Sequence, residues 1–332
     1  MLTYLFILIS SFLIVCILML PLIKLSNKYG FTDKPTGRKK HDNPISLIGG
    51  VPMFISFFFV YLIFINKLAY IKESIIILIA STMVFIIGLL DDYNKTKSLE
   101  FPITPRLIIQ IIAAIFIYKS GIVFIGFANP FTGNYIILHK FLQLILTVMW
   151  IFGVTTVINW IDGIDGLAGS IVSISATSMF IIALIKGENV SASIAIALVG
   201  MTLGFLIFNK YPAKVFMGDS GANFLGFILA IIALEGAFKQ TTTLSILIPI
   251  LILGIPIFDN IFVILKRIKR KKPIYKADRS QVHYRLLEKG LSINQTVTYL
   301  CVLSIFLSLI SILIFLSLIF SLFLNSSTEK YF

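Results

Sequence analysis

Three short strings place five of the chain's 15 acidic residues beside asparagine and glycine. They read Gly88-Leu-Leu-Asp91-Asp92, Asn159-Trp-Ile-Asp162-Gly-Ile-Asp165-Gly, and Asn209 followed by Lys214-Val-Phe216-Met-Gly218-Asp219-Ser-Gly221. Only 15 residues of the 332 are acidic, so clustering of this kind marks candidate chemistry. Adjacent carboxylates on a helix point about 100° apart, so Asp91 and Asp92 can bracket one cation or proton but seldom chelate it together. They close an apolar run, where the helix macrodipole is negative, and something cationic should compensate. Asn159, Asp162 and Asp165 fall within an arc of roughly 120° if the segment is helical, and the intervening glycines permit a break and close approach of a ligand. That face suits hydrogen bonds to a nucleotide and to metal-bound water. The competing reading, a small-residue packing seam, would bury two carboxylates without partners at high cost. Gly218 and Gly221 flank Asp219 at the start of another apolar run, where helix N–H groups meet phosphate and a carboxylate meets Mg2+. Phe216, close by, can stack a base, although aromatic side chains more often simply pack.

A fourth element is basic. Residues 266–290 form a charged loop that holds Lys266 to Lys272, Asp278, Arg279, His283 and Arg285. Phosphates need Arg and Lys partners. The plain alternative, charge that sets membrane topology and meets lipid head groups, accounts for Lys269 to Lys272 better than for 278–287, where acid, Arg, His and Tyr alternate. Asp259, in Pro256-Ile-Phe-Asp259-Asn, can accept a hydrogen bond from a basic loop residue or belong to the site; the sequence leaves both open.

The elements that must position these residues are membrane spans. The chain is 58% apolar and 13% charged, with a mean hydropathy of +0.99. That composition belongs to membrane proteins, which turns the net charge of +13 toward loops and head groups rather than nucleic acid. Cys16 and Cys301 sit in apolar runs and read as packing residues. A span needs about 20 apolar residues. Seven stretches are of that order, at 2–23, 45–66, 74–90, 141–161, 166–185, 189–209 and 240–258. The stretch 107–118 is shorter and becomes a span if Arg106 and Lys119 snorkel to the interfaces, 220–238 is one if Glu235 lies near an interface, and 290–328 carries no charge, making ten in chain order. The first reads as a retained helix rather than a cleaved leader. The last reads as one long helix opened by a Ser292/Gln295 capping box, and 120–138 as an irregular hairpin. The expected fold is therefore an all-α polytopic membrane protein of about ten helices, a single integral-membrane domain over 1–332. Loops after odd-numbered spans carry 21 of the 28 basic residues, which puts those loops, and the acidic strings beside them, in the cytoplasm and both termini outside. A transporter would place acids near the midplane and on both sides, within repeats; a lipid-binding scaffold would not need three Asp clusters.

With these residues in view, the chain resembles the bacterial polyprenyl-phosphate N-acetylhexosamine-1-phosphate transferases, closer to the WecA and TagO branch than to the MraY branch. The likeness runs in consistent order from Asp33-Lys-Pro-Thr-Gly-Arg38-Lys39-Lys40-His41 and Gly49-Gly50, through the three acidic strings and Pro256-Ile-Phe-Asp259, to Asp278-Arg279 and His283. The resemblance implies a cytoplasmic cleft in the bacterial inner membrane, Mg2+ dependence, and two substrates, a UDP-N-acetylhexosamine and undecaprenyl phosphate. The product would start a cell-envelope polysaccharide; a homodimer is compatible. By motif, Asp219 is the principal Mg2+ ligand, with Asp162 beside it, and Asp91 and Asp92 handle the lipid phosphate as base or electrostatic anchors. Asn159, Asp162, Asp165, Asn209 and Phe216 surround the nucleotide. Lys40, His41, Lys214, Arg279 and His283 are cationic or hydrogen-bonding partners, His283 within the catalytic set. Gln281-Val-His283-Tyr284 departs from the family's His-x-His-His, as do Ser46 and Ala222 at their positions. An MraY-type transfer of a peptide-linked sugar is the nearest rival.

Overall fold

In a computed structural model of the chain, residues 1–33, 44–65, 71–129, 134–236, 247–273 and 279–328 are described. Lys40 and His41, candidate substrate partners from the sequence, lie outside them. Twelve helices account for most of the described residues: α1 Leu2–Tyr29, α2 Gly50–Val60, α3 Ile71–Thr96, α4 Ile103–Ser120, α5 Lys140–Ile161, α6 Leu167–Lys186, α7 Asn189–Asn209, α8 Gly218–Gly236, α9 Leu247–Ile252, α10 Gly254–Lys269, α11 Val282–Glu288 and α12 Ile293–Thr328. Two short antiparallel pairs, β1 Thr32–Asp33 with β2 Ile45–Ser46 and β3 Gly126–Ala128 with β4 Tyr135–Ile137, accompany them. The second pair is the hairpin expected within 120–138.

Among the described residues, eight helices (α1, α3 to α8 and α12) are long and apolar enough to cross a membrane. The polytopic all-α expectation holds, with two refinements. The second stretch is a shorter apolar helix, α2 continued by a wider π turn over Tyr61–Ile65. The ninth is broken at Leu253, which leaves helical geometry (φ −92°, ψ 19°) between α9 and α10. The break has a local cause. Pro256 has no N–H to give the carbonyl four residues back, and Ile252 O takes the hydroxyl of Ser175 instead, at 3.3 Å. Ser311 likewise donates to Ile248 O at 2.9 Å. A broken helix is tolerated at membrane depth when neighbours satisfy its freed groups in this way.

The bundle is built around α8. Every residue of α8 is buried except Asp219, its second. α3 and α5 flank it, with α2, α6 and α7 completing the ring. Apolar side chains gain little from leaving lipid for another helix, so close backbone approach and hydrogen bonds carry the association. Trp150 of α5 donates to Ala230 O at 3.2 Å. At the start of α8 the approach is closest: a Cβ on Gly88 of α3 would come within 2.6 Å of Ser220 Cα, and one on Gly50 of α2 within 2.6 Å of Gly221 N. Those two glycines let three helices meet where the acidic strings lie.

Candidate active site

α3, α4, α5 and α8 bring Asp91, Lys95, Arg106, Asn159 and Asp219 together at one end of the bundle. Asp91 and Lys95 share a face of α3 one turn apart. Arg106 stands near the start of α4 and bridges both acids: its guanidinium lies 2.7 Å from Asp91 Oδ2 and 3.1 Å from Asp219 Oδ2. Lys95 Nζ lies 2.7 Å from Asp219 Oδ1 and 3.8 Å from Asp91 Oδ2. Asn159, on the last turn of α5, donates to Asp219 Oδ1 at 3.2 Å. Two anions and two cations thus alternate. The compensation expected for the Asp pair exists, supplied by Lys95 and Arg106. From the sequence both read as topology-setting charge, and Arg106 also as a residue snorkelling to the interface, although the Asp91-to-Lys95 spacing is a readable signal.

Asp92 points elsewhere. It is fully buried, and both of its oxygens are taken by the first turn of α8.

The Asn159–Asp165 string does not form one helical face. α5 ends at Ile161, and Asp162 caps it with φ −75° and ψ 64°. Residues 162–166 are a loop, with Gly166 in the left-handed region at φ 78°. Tertiary tethers override the three-residue spacing. Asp165 Oδ2 accepts the N–H of Ala213 at 2.9 Å, and Asn209 Oδ1 accepts the N–H of Gly166 at 2.9 Å. The Asn209 amide also donates to Val215 O at 2.7 Å. Asp165 and Asn209 therefore brace the loop against the 209–217 segment. Asp162 stays half-buried beside the acidic cluster. Burial and then the charge of Asp219 push its carboxyl up to about 7.

The 209–217 segment is held from the other side as well. Phe216 N donates to Ser46 O at 2.8 Å and Gly49 N to Phe216 O at 3.0 Å, so the peptide is fixed while the ring stays partly exposed. Lys214 is exposed.

A second wall comes from α10 and α11. Asp259 Oδ1 accepts the N–H of Val282 at 2.8 Å and Arg285 Nη2 at 3.0 Å. Of the two readings left open for Asp259, the tether to a basic residue is the observed one. It seats His283 directly against Gly163, where any Cβ would collide with the imidazole. Tyr284 donates to Gly163 O at 3.3 Å, and its ring lies 5.8 Å from the guanidinium of the exposed Arg279. His283 is 0% exposed; burial, then the nearby Arg285 charge, lowers its imidazole to about 4. Among the described residues neither His283 ring nitrogen nor Gln281 Oε1 has a hydrogen-bond partner. Buried polar atoms are rarely left so, and each is a place for a polar ligand or ordered water.

Whether the site fits Mg2+ can be judged from its donors. Asp219 and Asp162 offer hard oxygens, while no group of three His, Cys, Asp or Glu able to hold a metal occurs among the described residues. That matches Mg2+, which is commonly held by one or two carboxylates with water and substrate phosphates filling the shell.

Comparison with known proteins agrees with this geometry. The family model "Glycosyl transferase family 4" matches residues 74–237, from α3 through α8. A probable undecaprenyl-phosphate N-acetylglucosaminyl 1-phosphate transferase of Bacillus subtilis (strain 168) is 35% identical over 304 residues, 91% of this chain and 82% of that protein. An undecaprenyl-phosphate alpha-N-acetylglucosaminyl 1-phosphate transferase of Haemophilus influenzae is 30% identical over 298 residues, 87% of this chain and 81% of the relative. The Escherichia coli (strain K12) protein of the same description is 25% identical over 312 residues, 92% of this chain and 82% of its own length.

Proposed function

Because the chain belongs to glycosyl transferase family 4, we propose that it transfers an N-acetylhexosamine 1-phosphate from a UDP-sugar to undecaprenyl phosphate, releasing UMP. The observation that carries the reading is the alternating Asp91, Arg106, Asp219, Lys95 cluster at one end of a membrane bundle. It supplies paired cations for two phosphates beside a carboxylate suited to a divalent metal. The names of the relatives support undecaprenyl phosphate as acceptor and N-acetylglucosamine as the first sugar to test. The basic bias of the loops at this end supports a cleft facing the cytoplasm of a bacterial inner membrane.

A phosphate oxyanion is already a nucleophile, so the protein has to orient two anions and offset their repulsion. Lys95 and Arg106 exchange carboxylate oxygens for phosphate oxygens as the lipid phosphate enters beside Asp91. Asp91 then holds the two cations in place and sets the approach of the attacking oxygen. Asp219 and Asp162 would hold Mg2+, which when bound supplies charge neutralisation at the diphosphate. Asn159 keeps Asp219 oriented from α5, and Phe216 offers its partly exposed ring to the uracil. Gln281 and His283, with unsatisfied polar atoms, face the nucleotide sugar across the Gly163 turn. Arg279 and Lys214 add positive charge at the rim.

The test is a proteoliposome assay with undecaprenyl phosphate, Mg2+ and a panel of UDP-N-acetylglucosamine, UDP-N-acetylgalactosamine and UDP-MurNAc-pentapeptide. UMP release and a sugar diphospholipid are expected with an N-acetylhexosamine, and Asp219→Asn should lower turnover by about 10^3-fold or more. Turnover with the peptide-linked donor alone, or near-normal turnover by Asp219→Asn, would overturn the assignment.

A further inference from the structure

Asp91 and Asp92 are neighbours in sequence and opposites in use. Asp91 faces Lys95 and Arg106. Asp92 is 0% exposed and is consumed by one structure, the start of α8. Its Oδ1 accepts the N–H of Asp219 at 2.7 Å. Its Oδ2 accepts the N–H of Ser220 at 2.9 Å and the Ser220 hydroxyl at 2.6 Å. The first N–H groups of a helix have no partner within it, and a polar side chain just before the helix ordinarily supplies one. Met217 precedes α8 and its side chain has no oxygen to offer. The acceptor arrives instead from another helix.

The surrounding residues are shaped for that arrangement. Gly218 holds φ at 70°, and the Asp92 carboxylate fills the space its Cβ would occupy. Gly88, one turn before Asp92 on the same face of α3, brings the two backbones together at Ser220. The positive end of the α8 dipole meets a buried carboxylate, a favourable pairing in low dielectric. One residue of α8 bonded to Asp92 is Asp219 itself, whose side chain carries the cation and phosphate chemistry.

We propose that Asp92 is a positioning residue. It docks the first turn of α8 onto α3 and thereby fixes the Asp219 carboxylate, and of the adjacent pair only Asp91 meets the reacting groups. The kinetic part of this rests on the transferase reading above; the docking part does not.

Asp92→Asn keeps the shape but turns one acceptor into a donor facing the Ser220 N–H. Gly218→Ala leaves every charge in place and pushes on the same carboxylate. Both are compared with Asp91→Asn by hydrogen exchange of peptides covering 217–222 in nanodiscs, by Mn2+ affinity from electron paramagnetic resonance, and by kcat and KM. Expected for Asp92→Asn and Gly218→Ala are exchange faster by about tenfold or more at the start of α8, Mn2+ binding weaker by about tenfold, and a loss in kcat. Asp91→Asn should keep wild-type exchange and Mn2+ binding while losing kcat. Wild-type exchange at 217–222 in Asp92→Asn, or indistinguishable behaviour of the Asp91 and Asp92 variants, overturns the proposal. If no form of the protein turns over, exchange and Mn2+ affinity still decide it. Should Asp92→Asn fail to fold, Ser220→Ala decides: it removes one donor to Asp92, should speed exchange severalfold, and counts against the proposal if it does not.

Discussion

The two walls of the candidate site are satisfied to different degrees. On the α3–α8 side every charge has its partner: Asp91 and Asp219 each touch both Lys95 and Arg106, and Asp92 spends both oxygens on the α8 N-terminus. On the α10–α11 side, Asp259 caps α11 and holds Arg285, yet Gln281 Oε1 and both nitrogens of His283 remain without partners among the described residues. The first wall is a charge cluster whose cations are already gathered in one place and held by carboxylates. The second holds buried atoms that gain hydrogen bonds only when something polar sits against them. On the proposed function, charge handling and ligand reading are divided between the two walls.

The sharpest way to break that division is to strip the cations from the first wall. In Lys95→Gln/Arg106→Gln the two carboxylates face each other without compensation, and no cation remains for the lipid phosphate. Turnover is expected to fall by about 10^3-fold, which is about 4 kcal/mol of transition-state stabilisation. Each single variant should lose less than half of that in kcal/mol, because the other cation still touches both acids. Measuring kcat and the KM for undecaprenyl phosphate in the same vesicles checks it; a loss confined to the KM for the UDP-sugar would reverse the division of duties.

The second wall can be probed by pH. His283 is buried neutral with its imidazole lowered to about 4, below the ordinary 6.5. As pH falls below 6.5 the unfolded chain takes up a proton at this residue and the folded one does not, so stability is lost between about 6.5 and 4. At pH 5 this group alone should cost about 2 kcal/mol relative to pH 8. The readout is the unfolding midpoint in detergent at both pH values for wild type and His283→Gln. The variant should show a distinctly smaller acid shift, and an equal shift would mean His283 already finds a partner for its proton.

The two walls also differ in how far they can be read from the sequence. Apolar length alone locates the spans, since a bilayer imposes it, and the Ser292/Gln295 pair announces the start of α12 because capping is a contact between near neighbours. Asp219 at a helix start and Asp91 at the end of an apolar run are legible for the same local reason. Contacts between distant segments decide the rest. The three-residue spacing of Asn159, Asp162 and Asp165 suggests one helical face, but Asn209 and Ala213 pull the segment into a loop at Gly166. Nothing near Asp92 in sequence tells that its partners are 127 and 128 residues away. Arg106, 15 residues beyond Asp91, reads as a snorkelling interface residue until α3 and α4 are packed together.

The mildest test asks whether the second wall is held from α10 or from α12. Ser292 Oγ accepts the N–H of Gln295 at 3.2 Å, and Gln295 Oε1 accepts the N–H of Ser292 at 2.9 Å. This reciprocal box follows α11 by a turn at Gly290, whose φ of 93° suits glycine. Ser292→Ala removes one of the two bonds at an exposed helix start and should cost about 1 kcal/mol. If Asp259 alone seats α11 against Gly163, the unfolding midpoint drops slightly while kcat and both KM values stay within about twofold, since that cost lies outside the cleft. If the KM for the UDP-sugar rises with the lost cap, the orientation of His283 is being set through α12. The clasp would then be a three-helix device, as tightly braced as the charge cluster opposite it.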